Sequence, residues 1–473
     1  MSLPQGSQPV QPSRIPYDLY CEIVRVLGEA ANARRENPSR SWIDPHRAKG
    51  ILVNLARVSK NMKELVYPHI YPHIELTSSQ SLNGLLWTLT QNPEIAHRIN
   101  SLDVSHGLSW THQHSWPHPP VIHQINDREE LAQLPLPGMQ SDVRVLWRGV
   151  CKKVPTLARR WSYHPDVRNG MLHLVLLLLM LPNLRVFRSL PWDRRGKAEY
   201  LLSTIIMNMT KTHAKRFLGS LESLEIVDLK CRNNVGFLRK MVLLPRLQTL
   251  DLPISGGMRV FALDITHARE HSLPLQNVRI QSSAFSRSSL FNLLRSIQRL
   301  EVLHYPITDY IRPPVNGGDG IKRALDRHRQ HLKELNLVID HHCPNRQESL
   351  FLRWPLPLYG LTPSWSFAAY STLRALHIPD VCLGFGNSES LRRTNLRTCL
   401  PACIETLALM TRVADIDRTD YIRQLLHKCL AFQRLERITL IQVQRDLHSV
   451  SPNPTICHPA PKWRVAFEYV SYA

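Results

Sequence analysis

A short phrase of two aliphatic residues separated by two others, Leu-x-x-Leu, returns along most of this 473-residue chain. After each copy comes a short run of alternating apolar and polar residues, as at 249–252 after the copy at 244–247. Such alternation is typical of a strand with one buried face. The copies begin at Leu181, Leu221, Leu244, Ile297, Leu332, Leu373, Ile404 and Leu435.

Helical patterns lie between these predicted strands. Apolar residues recur at helical spacing in 290–297 and 421–429, and the apolar run 174–181 predicts a buried helix that is too short to cross a bilayer. Strands and helices that alternate at a recurring interval predict an α/β fold built as a solenoid of stacked repeats. The intervals are irregular, from 23 to 41 residues, and an ordinary doubly wound α/β sheet fits the same alternation.

The opening block, 15–76, has a different pattern. Pro16 stands where a helix would begin, because a proline at the first helical position loses no hydrogen bond. Asp44 precedes a proline and is suited to cap a second helix, and Ser59 is suited to cap a third, which we expect Pro68 to end. The block therefore predicts three short helices with more apolar surface than so few residues can bury alone.

The order of these residues resembles the F-box, in the form common among fungal proteins. The matching segments are Ile15-Pro16 with Asp18-Leu19, Glu22-Ile23, Ala56-Arg57-Val58-Ser59-Lys60 and Tyr67-Pro68-His69-Ile70-Tyr71. The Leu-x-x-Leu array is similar to the degenerate leucine-rich repeats that often follow such an F-box. The predicted fold is therefore an N-terminal three-helix F-box-like module followed by an irregular leucine-rich-repeat-like solenoid.

This interpretation divides the chain into three parts. A charge-free tail is expected to be disordered, and two long loops interrupt the repeats. The predicted parts are the tail 1–13, an F-box-like domain 14–76 with an insertion at 28–49, and a repeat domain 77–473 with loops at 105–169 and 340–371.

The resemblance also implies a function. It implies a substrate-recognition subunit of an SCF-type, cullin-based ubiquitin ligase, whose helices dock on the small acidic adaptor protein of that ligase while the repeats hold a protein target. The residues expected to form the adaptor-binding face are Ile15, Pro16, Leu19, Ile23, Val58 and Ser59. The chain itself would carry out no reaction and would need no cofactor.

Two local motifs suggest other chemistry, and we interpret both as coincidental. Residues 340–343 spell Asp-His-His-Cys, the core of the palmitoyltransferase motif, but without the cysteine-rich zinc scaffold and membrane helices of that family. Five histidines in 106–123 lie in a proline-rich segment without a cysteine or carboxylate at ligand spacing. We therefore expect neither an enzyme nor a metal site.

The net charge of +21 is spread along the chain and favours an acidic partner. It supports an alternative function, a basic repeat scaffold that binds an acidic protein or nucleic acid without ubiquitin transfer. Nine dispersed cysteines, with neither a signal-peptide pattern nor a long apolar run, predict a protein of the cytoplasm or nucleus that does not bind a membrane.

Overall fold

The computed structural model describes fourteen segments of the chain. They are 17–31, 44–105, 169–189, 218–226, 238–239, 241–252, 272–280, 287–305, 320–337, 365–383, 391, 394–411, 418–444 and 464–471. The predicted tail, Ile15, Pro16, the histidine-rich segment 106–123 and the motif at 340–343 lie outside these residues.

Three helices form an N-terminal module. They are α1 (Tyr17–Ala31), α2 (Pro45–Ala56) and α3 (Lys60–Ile70). The Asp44 side chain accepts a hydrogen bond from the Arg47 N–H at 3.0 Å, and the Ser59 hydroxyl accepts one from the Met62 N–H at 3.1 Å. Both predicted helix caps are therefore confirmed, since each satisfies an N–H that has no partner within its helix.

Helix boundaries in this module differ from the sequence analysis at two points. Because α1 runs to Ala31 and α2 starts at Pro45, the predicted insertion 28–49 includes the end of one helix and the start of the next. The prediction that Pro68 ends the third helix is wrong, because α3 continues to Ile70. Pro68 removes only one hydrogen bond from the last turn, and Ile70 remains buried against the other two helices.

The module encloses a small core of its own. Its buried residues are Val24, Leu27, Ala30, Ala48, Leu52, Val66 and Ile70. Gly28 lies where α1 meets α3: a Cβ atom at this position would be 2.3 Å from Nδ1 and 2.9 Å from Cβ of His69. The missing side chain of Gly28 therefore allows the two helices to approach each other.

Within the described residues, twelve strands form one parallel sheet, in which each strand pairs with its neighbours along the chain. A doubly wound sheet reverses its strand order at a switch point, and the order of these described strands contains no reversal. The strands are β1 (His73–Glu75), β2 (Ser101–Val104), β3 (Val186–Ser189), β4 (Ser223–Ile226), β5 (Thr249–Leu252), β6 (Asn277–Ile280), β7 (Val302–His304), β8 (Glu334–Asn336), β9 (Ala375–Pro379), β10 (Thr406–Thr411), β11 (Arg437–Gln444) and β12 (Arg464–Ser471).

Helices between the strands share one core with the sheet. Those described are α4 (Ser79–Gln91), α5 (Pro93–Ala96), α6 (Asn169–Met180), α7 (Arg287–Ser296), α8 (Gly320–Asp326), a 3-10 helix (Asp380–Leu383), α9 (Leu396–Cys399) and α10 (Arg418–Cys429). The helices predicted at 174–181, 290–297 and 421–429 are confirmed as α6, α7 and α10, and the predicted strand 249–252 is β5.

Each Leu-x-x-Leu phrase contributes two buried apolar side chains to this core. The second residue of every strand from β2 to β11 is fully buried, and so is the residue three positions earlier, at no more than 2% exposure. In β4, for example, these residues are Leu224 and Leu221. The alternate strand residues, such as Ser223 and Glu225, are only partly buried. One face of the sheet therefore carries buried apolar side chains, and from β1 to β9 the other face is largely polar, unlike most parallel sheets. On β10 and β11 the second face instead carries the buried Ala408, Met410 and Ile441.

A ladder of backbone hydrogen bonds runs along the start of the strands. Each acceptor carbonyl receives two N–H groups from the next repeat, at 2.7–3.2 Å, as Glu222 does from Gln248 and Thr249. The acceptors are Pro72, Asn100, Arg185, Glu222, Gln248, Gln276, Glu301, Lys333, Arg374 and Glu405. This repeated contact holds the strands from β1 to β11 in one register, although the connections between them differ in length.

The helical module is attached to the first strand of the sheet. The Lys49 ammonium of α2 donates a hydrogen bond to the backbone carbonyl of His73 at 2.9 Å, and its burial lowers the pKa of Lys49. The Tyr71 ring packs against both hydrophobic cores and lies 5.1 Å, edge to face, from the Tyr67 ring. A half-buried cation and an aromatic pair thus join the two parts.

The end of the second predicted long loop packs onto the sheet. Most of that loop lies outside the described residues, but Phe367 and Tyr370 are buried in the main core. The Lys322 ammonium of α8 lies 5.3 Å and 5.2 Å from the centroids of these two rings, and the Tyr370 hydroxyl lies 3.0 Å from a carboxylate oxygen of Asp326. Cation–π contacts therefore fasten this segment to α8.

Replacing Gly28 by Ala tests the close packing of α1 on α3. We expect Gly28→Ala to destabilise the module by about 1–3 kcal/mol, because His69 cannot clear the new methyl group by changing rotamer alone. Gly50→Ala is the matched control, since nothing lies within 4 Å of a Cβ there, and it should stabilise α2 by about 0.5–1 kcal/mol. Thermal denaturation followed by circular dichroism measures both changes. Equal effects of the two substitutions would contradict this account of Gly28.

Candidate functional site

Two surfaces stand out, and the first is an apolar stripe on α1. Leu19 and Ile23 are four residues apart and therefore lie on one side of the helix. They remain 50% and 39% exposed, whereas Val24 and Leu27 on the adjacent side are buried in the module core. The helix thus has more apolar surface than its neighbours cover.

A third side of α1 carries charged residues that form ion pairs with one another. Arg25 forms ion pairs with Glu22, one turn before it, and with Glu29, one turn after it. All three side chains are exposed, so these pairs contribute little to stability. The charges on this side of α1 are therefore paired with one another within the helix, whereas the apolar stripe remains exposed to solvent.

The junction between α2 and α3 adds to the exposed apolar surface. Val58 is 72% exposed, and the neighbouring Ser59 uses its hydroxyl to cap α3. The resemblance places Ser59 on the adaptor-binding face, and in the structure the hydroxyl of Ser59 also caps α3. Of the six residues predicted for that face, Leu19, Ile23, Val58 and Ser59 are described, and all four are exposed.

The sequence analysis missed two other exposed apolar side chains of this module. Tyr17 is 66% exposed, and Ile51, whose spacing resembles that of a core residue, is 38% exposed. We refer to the exposed Leu19, Ile23, Ile51 and Val58 of the module together as the apolar face; Tyr17 is two residues from Leu19 and therefore lies on another side of α1. With Tyr17 they are five of the eight large apolar side chains that are most exposed in the described part of the chain; the others are Trp87, Leu243 and Leu430.

The second surface is a row of polar side chains across the open side of the sheet. Register places one residue of each strand from β1 to β9 directly opposite the next. We call these residues the polar row: Glu75, Asp103, Arg188, Glu225, Asp251, Arg279, His304, Asn336 and His377. Neighbouring strands lie about 4.8 Å apart, so the charges interact along the row.

Arg188 lies between two carboxylates of this row. Its guanidinium is 2.5 Å from a carboxylate oxygen of Glu225 on one side and 3.4 Å from one of Asp103 on the other. The second oxygen of Asp103 accepts hydrogen bonds from the backbone N–H and the hydroxyl of Ser105. The row from β2 to β4 is therefore a connected network.

Asp251 is the poorly satisfied member of the row. One of its carboxylate oxygens, Oδ1, is buried without a hydrogen-bond partner. Burial raises the pKa of Asp251 to about 6, and the adjacent Glu225 carboxylate acts in the same direction against the opposing effect of Arg279, His304 and Arg188. Keeping this carboxylate charged at neutral pH costs folding free energy.

Beyond Asp251 the row becomes more basic. The Nε2 atom of His304 lies 2.7 Å from a carboxylate oxygen of Glu334 on the next strand, and this hydrogen bond lowers the pKa of Glu334. Arg279 is exposed opposite Asp251 but does not supply the hydrogen bond that Oδ1 lacks. The polar row is thus divided into an acidic half on β1–β5 and a more basic half on β6–β9.

Two features are absent from the described residues. Within the described segments, no group of three or more His, Cys, Asp or Glu side chains is arranged to hold a metal ion. No helix there combines the length and apolar character needed to cross a membrane.

Replacing Asp251 by Asn tests the cost of the buried charge. The folded state binds the Asp251 proton more tightly than the unfolded chain does, so ionisation destabilises the fold as the pH rises from about 4 to about 6. Asp251→Asn should therefore be about 2–3 kcal/mol more stable than the wild type at pH 8, and equally stable at pH 4. Thermal denaturation at the two pH values measures this difference. Exposed Glu64→Gln is the control, and a gain for Asp251→Asn that is independent of pH would contradict the assignment.

Comparison with known proteins adds no further indication of function. No protein-family model matches the chain, and no curated protein is similar to it in sequence. The case for a function therefore depends on the residues and geometry of these two surfaces.

Proposed function

We propose that this chain is a substrate-recognition subunit of a cullin-based, SCF-type ubiquitin ligase. The three-helix module would dock on the ligase adaptor protein, and the sheet region, a leucine-rich-repeat-like solenoid, would hold the target protein. The observation that carries the proposal is the apolar face, because it lies on a small module that has already formed its own core. The residues that resemble an F-box lie in the same module.

The energetics of the apolar face favour a protein partner. Fully burying a side chain of the size of Leu or Ile is worth about 1.5–3 kcal/mol, and the apolar face offers several such side chains. A few buried anchors usually dominate the affinity of a protein interface. Leu19 and Val58, at 50% and 72% exposure, are the anchors we expect to matter most.

The solenoid interpretation is supported by three regularities of the sheet. The strands follow one another in chain order, the backbone ladder recurs at each repeat, and each repeat buries aliphatic residues at the same two positions. In a solenoid each repeat contacts only its neighbours, and the stack presents one long surface to a partner. The open side of this sheet would be that surface.

In this proposal the chain positions a target protein and does not itself catalyse a reaction. It would hold a target near the ubiquitin-charged enzyme of the ligase and so raise the effective concentration of the reacting groups. The cysteines of the described residues are free thiols, which is consistent with a protein of the reducing cytoplasm or nucleus.

The net charge of +21 supports the alternative of a basic scaffold without ubiquitin transfer. That alternative also expects an acidic partner, but it predicts binding dominated by charge and weakened steeply by salt. Docking through the apolar face should instead change little with salt, because burial of apolar surface does not depend on ionic screening.

Substitutions in the apolar face test the proposed adaptor contact. We expect Leu19→Asp and Val58→Asp each to weaken binding of the purified adaptor protein at least tenfold, because a charge would be buried in an apolar interface. Both side chains are exposed in the free chain, so its circular dichroism spectrum and Tm should not change. Adaptor affinity can be measured by biolayer interferometry with the full-length protein.

Leu430→Asp provides the matched control. This leucine is 62% exposed and lies just beyond α10, in the sheet region. It should leave adaptor affinity unchanged. Adaptor binding that survives both Leu19→Asp and Val58→Asp, or that is absent from the wild type, would refute the proposed docking.

A further inference from the structure

Positive charge surrounds Val58, the most exposed member of the apolar face. Arg57 precedes Val58 at the junction between α2 and α3, Lys60 follows it two positions later, and both basic side chains are exposed. Val58 itself is 72% exposed. Residues 57–63 include three basic side chains and no carboxylate. The anchor that we expect to enter an adaptor interface therefore lies among cations.

Neither Arg57 nor Lys60 is neutralised by a partner within the described part of the chain. Among those residues, no ion pair or side-chain hydrogen bond involves either cation. Glu64 lies four residues after Lys60, a spacing at which helical side chains can pair, yet these two side chains form no ion pair. Arg25 of α1, in contrast, is already paired with two carboxylates of its own helix. The charge at the junction is therefore available to attract a partner.

The fold gives no reason for a cation at position 60. Lys60 is the first residue of α3, where the helix dipole favours a negative charge, and the first turn contains no acidic residue. Lys63 of the same turn contacts the Tyr67 ring, whose centroid is 5.1 Å from the Lys63 ammonium. Arg57 ends α2 through its backbone N–H, which bonds to the carbonyls of residues 54 and 55 and does not depend on the side chain. A contact outside the chain would account for both Arg57 and Lys60.

We infer that Arg57 and Lys60 steer the adaptor onto the apolar face, so that these cations govern the rate of association while the apolar side chains govern the rate of dissociation. The inference rests on the proposed function, since it assigns the two cations a role in the adaptor contact. It also specifies the partner surface: an apolar groove that receives Val58, with carboxylates at the rim opposite Arg57 and Lys60. Charges at the rim of an interface act mainly on association, whereas buried contacts act on dissociation.

A nucleic acid fits the junction less well than a protein does. Phosphates would pair with Arg57 and Lys60, but they would offer no apolar surface to Val58, which lies between the two cations. Affinity for nucleic acid also grows with the number of phosphates that are neutralised, and two cations neutralise few. A protein surface with both an apolar groove and carboxylates complements the whole junction.

Steering by two cations is compatible with docking whose strength changes little with salt. Two rim charges change an association rate a few-fold, whereas neutralising many phosphates changes an affinity by orders of magnitude. The apolar contacts that hold the complex together are not screened by salt. Salt should therefore act on the approach of the adaptor and leave its dissociation unchanged.

Association and dissociation rates of the purified adaptor, measured by biolayer interferometry with the full-length protein, test the inference. We expect Arg57→Gln/Lys60→Gln to lower the association rate constant about fivefold in about 50 mM NaCl. In about 1 M NaCl the difference should fall below twofold, because charges are then screened within about 3 Å. The dissociation rate constant should change less than twofold at either salt concentration, and the Tm should not fall.

Two further variants separate steering from the other effects of substitution. Val58→Ala should show the opposite pattern, a dissociation rate raised several-fold with an unchanged association rate, because it removes apolar contact and no charge. Arg246→Gln/Arg434→Gln is the matched control, since it removes the same number of exposed cations from turns in the sheet region. It should change the association rate less than twofold.

The two proposals fail in different ways. If the adaptor binds the wild type but the association rate is independent of salt, or if both double arginine and lysine variants slow it equally, only the steering role is overturned. A wild type that does not bind the adaptor removes the ligase assignment and the steering role together. Fluorescence anisotropy with a labelled ten-nucleotide oligothymidine adds one more outcome: binding that is lost in Arg57→Gln/Lys60→Gln would assign the two cations to nucleic acid and overturn the inference.

Discussion

Register between neighbouring strands is the constraint on which the rest of this structure depends. Each strand from β2 to β11 has a fully buried second residue, and a shift of one position would turn that residue to the polar side. The paired N–H groups that bind each preceding carbonyl hold the same register through the backbone. The polar row exists only because this register is kept from strand to strand.

The helical module obeys a different constraint, which is its size. Three short helices can bury residues such as Val24, Leu52 and Val66 between them, but they cannot also cover Leu19, Ile23 and Val58. Gly28 lets α1 approach α3 closely, which increases the apolar surface that the two helices can bury between them. The module therefore has a core sufficient to place its helices, and its apolar face remains exposed.

The two surfaces suit different kinds of contact. The apolar face gains free energy by leaving water, which favours a lasting and salt-independent attachment. The acidic half of the polar row carries a carboxylate, Asp251, whose burial opposes its ionisation.

The sequence by itself determined the elements and much of their burial. The caps at Asp44 and Ser59, the helices α6, α7 and α10 and the strand β5 follow from local patterns, because capping and periodicity depend on residues close together in the chain. The same patterns placed Leu19, Ile23 and Val58 on the module but did not show that Ile51 would remain exposed.

Only the tertiary structure decided which residues of different repeats meet. Asp103 and Arg188 are far apart in the chain, and so are Glu225 and Asp251, but strand order and register set each pair side by side. The irregular spacing of the repeats hides this alignment from the sequence. The raised pKa of Asp251 is likewise a property of its neighbours in space, since desolvation and charge depend on what surrounds a carboxylate rather than on what precedes it in the chain.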